Sequence, residues 1–298
     1  MRGHEEAKAR QVLAGVLGRE ADSLPLPEPL SLGMTNRSYL GTDGGQRYII
    51  RLPGEGSAQL VDRQAEYASY QAVAGLGLTD DVLLLDPASG VKVTRFLPGV
   101  HNCDPQDPAD LAPCMARLRA FHEMDLTVGH VFDPFSLLET YESFRGGAPS
   151  VYPDYPAVKR DVLSLRPWLS PPDLRRRLCH IDAVPDNFLL TPDRQAENVR
   201  LIDWEYAGMA DPLIDLAMFA VYAGYEKDAL ERLIDLYDPG LNEAQRQRIF
   251  GWAAVCGLLW SNWCEFKAQL GVDFGDYARQ QYRLAKYYYH LCKQEETT

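Results

Sequence analysis

The chain has 298 residues, 46% of them hydrophobic, so it is long enough to build one large domain or two coupled lobes around a sizeable core. Its formal net charge of -12 disfavours nucleic acid or an anionic membrane surface as the main partner and is compatible with a cationic substrate. Because it has no run of about 18 apolar residues and its charged N-terminus lacks the apolar stretch of a signal peptide, we expect no membrane span and a cytoplasmic location.

The six cysteines are spaced too widely to suggest a metal site or a set of disulfides. None of them forms a Cys-x-x-Cys pair, and the closest two are eight residues apart. Structural zinc sites and disulfide frameworks depend on closer or patterned spacing. We therefore expect free thiols that are mostly buried.

The first hundred residues are predicted to form mostly strands and turns, with one helix. The helix is predicted at 62–74, where Gly75 and Gly77 mark its end. The segment Thr42-Asp43-Gly44-Gly45 between two apolar runs is typical of a hairpin turn. The predicted strands are 30–40, 46–52, 82–85 and 91–96.

Beyond this part of the chain, the apolar residues change to helical spacing. One helix is predicted around 111–121, and a long helix at 249–270 is ended by Gly271. Two short strands are predicted at 188–190 and 199–202. The predicted fold class is therefore α+β, with a small lobe at 1–97 and a larger, mainly helical lobe at 98–298.

The strongest chemical signal is a pair of acidic motifs in the second lobe. Asp182 and Asn187 are five residues apart and follow His180, which is the spacing of a kinase catalytic loop. Asp203 follows a predicted strand, as the second metal ligand does in kinases. Either motif alone also fits an acidic turn next to a strand. Because phosphoryl transfer needs an acceptor at the substrate hydroxyl and oxygen ligands for Mg²⁺, the pair predicts Asp182 as the catalytic base and Asn187 and Asp203 as metal ligands.

Together the motifs resemble the aminoglycoside phosphotransferase and choline kinase superfamily, and most of all the bacterial choline kinases of the choline/ethanolamine kinase family. The resembling segments span most of the chain, and their order and spacing are more specific than any one of them. They are Gly33-Met34-Thr35-Asn36-Arg37-Ser38-Tyr39, Tyr48-Ile49-Ile50-Arg51-Leu52-Pro53-Gly54, Ile202-Asp203-Trp204-Glu205-Tyr206-Ala207-Gly208-Met209 and Gly271-Val272-Asp273-Phe274-Gly275-Asp276-Tyr277. The resemblance implies a protein-kinase-like fold of two lobes, ATP and Mg²⁺ as cofactors, and a small cationic amino alcohol, first of all choline, as the substrate.

The resemblance also assigns residues to the nucleotide. The turn at 33–39 would cover the phosphates, because backbone N–H groups beside a glycine can approach phosphate oxygens. Arg51 takes the strand position where most kinases have a lysine, and its guanidinium can bridge phosphates and the carboxylate of Glu66. Alone, these features also fit an ordinary hairpin turn and a solvated ion pair. The expected nucleotide contacts are Gly33, Thr35, Asn36, Arg51, Glu66 and, at the adenine hinge, Thr94, Phe96 and Leu97.

The predicted substrate pocket is aromatic. Trp260 and Trp263 are three residues apart and share one face of the long helix. A quaternary ammonium cannot donate a hydrogen bond and is recognised by aromatic faces. The resemblance implies that this tryptophan pair and Tyr277 line the pocket, and we expect Glu205 and Tyr206 on its other side. The same apolar stripe also fits a hydrophobic core, which is the alternative.

Two further residues are predicted to support the catalytic loop without reacting. We expect Asp215 to accept backbone N–H groups of the loop, and His180 to pack against the loop or hydrogen-bond it. The sequence departs from the family pattern at Ile181, where a polar residue is usual, and at Asp186, where Glu is more common. Neither departure removes a catalytic atom, so both bear on the substrate and not on the reaction class.

Other functions remain open at this point. Ethanolamine kinase is the nearest alternative, followed by a thiamine or aminoglycoside kinase of the same superfamily. The several ammonium groups of an aminoglycoside would favour acidic residues over the tryptophan pair. A kinase-like binding protein without activity is the non-enzyme alternative, and the presence of Asp182, Asn187 and Asp203 argues against it.

Overall fold

The structure, a computed structural model, describes residues 2–30, 36–54 and 61–294. Its helices are α1 (Arg2–Leu17), α2 (Arg63–Val73), α3 (Pro108–Glu123), α4 (Pro134–Ser143), α5 (Tyr155–Leu163), α6 (Arg166–Leu169), α7 (Leu213–Ala223), α8 (Lys227–Tyr237), α9 (Glu243–Gln269) and α10 (Asp276–Gln294). Its strands are β1 (Glu28–Leu30), β2 (Asn36–Asp43), β3 (Gln46–Pro53), β4 (Val82–Leu85), β5 (Lys92–Arg95), β6 (His101–Asn102), β7 (Arg177–Cys179), β8 (Phe188–Leu190), β9 (Arg200–Leu201) and β10 (Gly208–Ala210).

Within the described residues, β1 to β5 form a five-stranded antiparallel sheet in the order β1-β2-β3-β5-β4. Its centre is the predicted hairpin of β2 and β3, which is confirmed. The turn is shorter than predicted, because Thr42 and Asp43 still pair with β3. Gly44 and Gly45 alone reverse the chain, with φ of 54° and 86°. Glycine adopts such angles at little cost because it has no Cβ.

The prediction of one helix in the first hundred residues is wrong, because α1 precedes the sheet. Ala9, Leu13 and Ala14 of α1 are buried in one core with side chains of β2 and β3. The helix comes so close to the sheet at Gly41 that a Cβ there would lie 2.5 Å from Cδ2 of Leu13. The buried residues do have helical spacing, but charged residues on most of the helix mask this narrow apolar stripe.

α2 connects the sheet to the helical region. The side chain of Asp62 caps its first turn by accepting the N–H groups of Gln64 and Ala65 at 2.9 and 3.1 Å. Farther along, Tyr70 and Val73 pack into the large core formed mostly by the helices. The small sheet therefore shares α2 with the rest of the molecule, and the predicted boundary between the two lobes stays a prediction.

The helical region is built around α9, which is buried almost continuously from Ile249 to Lys267. The helix begins with a capping box between Asn242 and Gln245 and packs against α10, α7 and α4. The predicted long helix is confirmed, and Gly271 follows its end with a φ of 83°. No described helix is both long enough and apolar enough to cross a membrane.

Two small sheets hold the segment between β7 and β8, which we call the β7–β8 loop (180–187). β7 pairs with β10, and β8 pairs with β6 and β9. The N–H of Cys103 donates to the carbonyl of Phe188 at 3.1 Å and extends the contact between β6 and β8. The loop therefore begins and ends on fixed strands. All six cysteines, including Cys179 just before the loop, are buried as expected.

We expect Gly257→Ala to destabilise the packing of α9 against α10. A Cβ at this position would lie 2.8 Å from backbone atoms of Ala285 and Gln281, and neither backbone can move without shifting a helix. The free energy of unfolding should fall by about 1–3 kcal/mol, measured as a lower Tm.

Gly15→Ala is the matched control. Gly15 lies in α1, and a Cβ there meets nothing within 4 Å. The better helix propensity of alanine should raise the free energy of unfolding by up to about 1 kcal/mol. An unchanged or higher Tm for Gly257→Ala would contradict the close approach of α9 and α10.

Candidate active site

One buried carboxylate holds the start of the β7–β8 loop in a strained conformation. Asp215, in the first turn of α7, accepts the N–H of His180 at 2.9 Å and that of Ile181 at 2.7 Å. Ile181 has a φ of 69°, in the left-handed region that a β-branched residue rarely adopts. The same carboxylate lies 3.0 Å from Nε2 of His122. The backbone that presents Asp182 is therefore fixed by a buried hydrogen-bond network.

His180 is fully buried and contacts backbone and a neighbouring ring. Its Nε2 donates to the carbonyl of Ile202 at 3.0 Å, and its ring lies edge-on to Trp204 at 4.6 Å. Burial lowers the pKa of His180 to about 4, so the ring is neutral near pH 7. This environment favours structural support over proton transfer.

Asp182 and Asn187 are hydrogen-bonded to each other across the loop. Nδ2 of Asn187 donates to Oδ2 of Asp182 at 2.9 Å and to its carbonyl at 2.8 Å. Burial, together with the negative charges of Asp203 and Glu205, raises the pKa of Asp182 to about 8. A carboxyl group with this pKa can take up and release a proton near neutral pH, which a general base requires.

Arg51 on β3 is a buried cation among carboxylates. Its Nη2 donates to Glu66 at 2.5 Å and its Nη1 to Asp203 at 3.1 Å. Oε2 of Glu205 lies 3.6 Å from the same Nη1. Burial alone would lower the pKa of Arg51, but the three carboxylates raise it above its ordinary value. The structure thus brings Arg51 and Glu66 together and adds Asp203 to the pair.

Arg63 is a second cation beside Glu66 and Glu205, and it was not predicted from the sequence. Arg51, Arg63 and these carboxylates, with Asp203, form what we call the acidic cluster. Nη1 of Arg63 donates to Glu66 at 2.8 Å and to Glu205 at 3.3 Å, while its Nη2 donates to Oδ1 of Asn36 at 3.2 Å. Arg63 precedes Glu66 by three residues on α2, so both lie on one helix face. That spacing is the signal that could have identified it.

Glu205, which is predicted to lie beside the substrate, contacts residues of β2 and α2, and its contact with a substrate stays a prediction. Its Oε2 accepts from Nδ2 of Asn36 at 2.8 Å and from Arg63 at 3.3 Å. A buried carboxylate needs such donors, and here β2 and α2 supply them. Burial and the charge of Asp203 raise the pKa of Glu205 to about 7. Glu205 therefore belongs to the acidic cluster around Arg51.

Three carboxylates of this cluster are close enough to hold a metal ion. One oxygen from each of Glu66, Asp203 and Glu205 lies within 4.8 Å of the others. Glu66 and Glu205 are almost fully buried and paired with arginines, whereas 32% of the Asp203 side chain is exposed. Asp203 is therefore the member of the group that an incoming ion can reach.

Asp203 is also kept ionised and close to Asn187. Burial would raise its pKa, but the charges of Lys92 and Arg51 lower it below the ordinary value. The N–H of Ile202 donates to the carbonyl of Asn187 at 2.9 Å, which draws the two predicted ligands together. A carboxylate and an amide oxygen are hard ligands, so these residues fit Mg²⁺.

The predicted phosphate-covering turn is largely outside the described residues. Gly33 and Thr35 both lie there, so their role stays a prediction. Asn36 is the first residue of β2. Its side-chain amide donates to Glu205 and accepts from Arg63. It links the end of this turn to the cluster.

The predicted adenine hinge lies at the end of β5. Thr94 is buried within the strand, and Leu97 follows it. The N–H of Phe96 donates to the carbonyl of Arg47 at 2.9 Å, and the guanidinium of Arg47 lies over the Phe96 ring at 3.9 Å. Because its N–H is already engaged, Phe96 has only its carbonyl to offer an adenine.

A continuous series of aromatic side chains, which we call the aromatic chain, runs beside the loop. Neighbouring ring centroids are 4.9 to 6.4 Å apart, and the rings meet edge-on or tilted. In spatial order, its members are Tyr206, Trp260, Trp263, Phe274, Tyr277 and Tyr222. Tyr277 thus belongs to the same series as the tryptophan pair, with Phe274 between them.

The aromatic chain reaches the β7–β8 loop at Asp186. The hydroxyl of Tyr222 donates to Oδ2 of Asp186 at 2.5 Å, and its ring lies edge-on to Tyr277 at 5.8 Å. Tyr222 was not predicted from the sequence, because an aromatic residue in an apolar helix such as α7 is typical of a core. Phe274 lies in one of the motifs that resemble the family, but no role was predicted for it.

Comparison with known proteins decides the family. Residues 27–258 match the family model of APH, the phosphotransferase enzyme family. The chain belongs to this family. Protein LicA from Haemophilus influenzae is 29% identical over 259 residues, which are 83% of this chain and 75% of LicA.

Two solved structures share the fold. Choline kinase LicA from Streptococcus pneumoniae has a TM-score of 0.83 at 28% identity, covering 97% of this chain and 99% of that one. A structure of LicA in complex with AMP has a TM-score of 0.77 at 28% identity, covering 90% of this chain and 92% of that one. The predictions of a kinase, of a protein-kinase-like fold and of a resemblance to choline kinases are confirmed.

The raised pKa of Asp182 leads us to expect that stability falls with pH in the absence of metal. Its pKa is about 8 in the folded protein and 3.8 ordinarily, so between these values the folded protein keeps a proton that the unfolded chain has lost. Stability is therefore lost as pH rises through this window. Asp182→Asn cannot ionise, so in a chelator it should raise Tm more at about pH 8 than at about pH 5.

Asp193→Asn is the control, because Asp193 lies in an exposed turn where the hydroxyl of Thr191 lowers its pKa. The charged form of Asp193 is already present throughout this pH range. Its substitution should lower Tm by a similar amount at both pH values. A pH-independent effect of Asp182→Asn would show that the pKa of Asp182 is not raised.

Proposed function

We propose that the protein is an ATP-dependent kinase of the cytoplasm that phosphorylates the hydroxyl of choline and uses Mg²⁺. The observation that carries this proposal is the link from the loop of Asp182 to the aromatic chain through Asp186 and Tyr222. A proton acceptor and a series of aromatic rings stand side by side, and choline carries a hydroxyl and a quaternary ammonium two carbons apart. The choline kinase LicA, with its TM-score of 0.83, supports this substrate.

Asp182 is the base in this proposal. Asn187 holds its carboxylate at 2.9 Å, ready to accept a hydrogen bond from the choline hydroxyl. As the hydroxyl oxygen bonds to the γ-phosphorus of ATP and the bond to ADP breaks, the hydroxyl proton passes to Asp182. The raised pKa of about 8 makes the protonated carboxyl accessible near neutral pH.

Arg51 and the acidic cluster would serve the phosphates. Glu66 holds the guanidinium of Arg51 in one orientation. Arg51 can then bind phosphate oxygens with little further loss of side-chain freedom. Asn187 and Asp203 would hold Mg²⁺, which when bound neutralises the charge that develops on the transferring phosphoryl group. Positioning and electrostatic stabilisation are the main contributions that a protein makes to this reaction.

The nucleotide would bind between the end of the sheet and the acidic cluster. The AMP complex of LicA supports a nucleotide site in this fold. Thr94, Phe96 and Leu97 remain the proposed adenine contacts, and Gly33 and Thr35 the proposed phosphate cover.

The carboxylates near the aromatic chain already accept hydrogen bonds, which favours a quaternary ammonium over a primary one. A primary ammonium such as that of ethanolamine needs hydrogen-bond acceptors, but Glu205 already accepts from two side chains and Asp186 from Tyr222. A trimethylammonium group needs no acceptor and is stabilised by aromatic faces. An aminoglycoside has several ammonium groups and would need still more carboxylates. Choline is therefore the first candidate.

Asp203→Ala should abolish Mg²⁺-dependent nucleotide binding, because it removes the exposed, ionised carboxylate of the cluster. ATP binding should be measured by titration calorimetry with Mg²⁺ and with a chelator, and activity should disappear in the chelator. Asp193→Ala, ten residues earlier in an exposed turn, should behave like the unsubstituted protein. Unchanged Mg²⁺ dependence in Asp203→Ala would show that another residue holds the ion.

Trp260→Ala should raise the KM for choline about tenfold or more, because a desolvated cation over a ring is stabilised by roughly 2 kcal/mol. The KM for ATP should stay unchanged, and the KM for ethanolamine should rise less. Trp260→Phe keeps a ring and should lie between. Trp168, which is half exposed and outside the aromatic chain, provides the control Trp168→Ala. An unchanged choline KM in folded Trp260→Ala would exclude Trp260 from the pocket.

A further inference from the structure

Lys267 places a positive charge on α9, the helix that carries Trp260 and Trp263. Only 3% of Lys267 is exposed. Across residues 2–30, 36–54 and 61–294, its ammonium has no hydrogen-bond acceptor and no carboxylate within ion-pair distance. Its ammonium is not among the fully buried polar atoms that lack a partner, so the apolar stem is covered while the charged end still reaches solvent.

The ammonium of Lys267 lies over the ring of Trp263, 5.5 Å from its centroid. The ring's other aromatic neighbours in the aromatic chain are Trp260 at 5.8 Å and Phe274 at 4.9 Å. Burial lowers the pKa of Lys267, and the negative charge of Glu205 acts against this and favours the cation. The lysine thus makes, within the protein, the contact that a cationic substrate would make with this ring.

We propose that Lys267 is a specificity-determining residue of the substrate pocket, whose ammonium occupies the cation position on Trp263 until the substrate cation displaces it. This inference rests on the proposed function, because it requires a cationic substrate. Two positive charges over one ring repel each other, so Lys267 raises the KM for every cation that uses Trp263. Neutral alcohols of similar size gain nothing from the ring and cannot displace it.

Lys267 has a short path to water. It is the last buried residue of α9, and Ala268, Gln269 and Leu270 after it are exposed. The four-carbon stem of a lysine can stay against an apolar surface while its ammonium moves to solvent. Substrate entry therefore requires rotation of one side chain and leaves α9 in place.

Lys267→Met tests the proposal, because methionine keeps an unbranched apolar stem and removes the charge. The KM for choline should fall about three- to tenfold, with kcat and the KM for ATP unchanged. Lys267→Arg keeps the charge and should keep the KM for choline near that of the unsubstituted protein. The Tm of Lys267→Met should stay close to that of the unsubstituted protein, because methionine keeps the packing of the apolar stem.

Lys286→Met is the matched control. The ammonium of Lys286 also lies over an aromatic ring, 5.1 Å from the centroid of Tyr282, but it is paired with Asp154 at 2.9 Å and is outside the aromatic chain. Its substitution should leave the KM for choline unchanged. An unchanged or higher choline KM in folded Lys267→Met would overturn the proposal. So would a decrease in choline KM in Lys286→Met as large as the decrease in Lys267→Met.

Binding of tetramethylammonium, followed by tryptophan fluorescence, separates this inference from the proposed function. If the unsubstituted protein does not phosphorylate choline, the proposed function fails. Tighter tetramethylammonium binding by Lys267→Met than by the unsubstituted protein still supports displacement of the lysine. Equal, weaker or undetectable binding by Lys267→Met overturns it, even if choline is the substrate.

Discussion

The buried guanidinium of Arg51 is the contact on which the arrangement of the site depends. It joins the central strand of the sheet to Glu66 on α2 and to Asp203 after β9. Without it, Glu66, Asp203 and Glu205 would face one another with less positive charge to offset them, since Arg63 and Lys92 would remain as counter-charges. Like charges in a poorly solvated interior repel strongly, and a carboxylate left without its partner is more costly than the pair itself. The sheet, α2 and the metal-ligand candidates are therefore positioned together.

The β7–β8 loop shows a second constraint, in which stability and reactivity oppose each other. Asp215 offsets the strain at Ile181 by accepting two backbone N–H groups, and the loop then presents Asp182 beside other negative charges. Those charges, together with burial, raise the pKa of Asp182 to about 8, which disfavours its charged form. The same perturbation makes it a suitable proton acceptor near neutral pH. Active sites often lower the stability of the folded protein locally, and favourable packing elsewhere in the fold offsets this loss.

The candidate site has an acidic end and an aromatic end, and the two ends suit different parts of the proposed reaction. The acidic end carries arginines paired with carboxylates. The arginines can bind phosphates, and the carboxylates can bind a metal ion. The aromatic end offers ring faces with few free acceptors, which favours a cation that needs no hydrogen bonds. Lys267 and Glu205 stand where the ends meet, and the charge of Glu205 favours the protonated lysine.

The sequence by itself determined the reaction class, the long helix and most of the first sheet. Asp182 and Asn187 are neighbours along the chain, so their spacing reflects the local backbone of a single loop, and Asp203 follows soon after. The glycines of the hairpin and the helical stripe of α9 are equally local signals. The apolar residues of α1 form a local signal too. They cover only a narrow face of the helix among charged residues, so the helix was not predicted.

Only the tertiary structure decided which side chains meet across the chain. Arg63 and Glu205 are 142 positions apart, and no local pattern directs one towards the other. The sequence marks Glu205 as a candidate substrate contact but does not show that Asn36 and Arg63 donate to it, because the direction of a buried carboxylate follows the donors that packing supplies. Tyr222 and Lys267 look like ordinary residues of an apolar helix and a helix end. Their roles arise from the rings and charges that the fold brings to them, since burial and long-range packing depend on the whole chain.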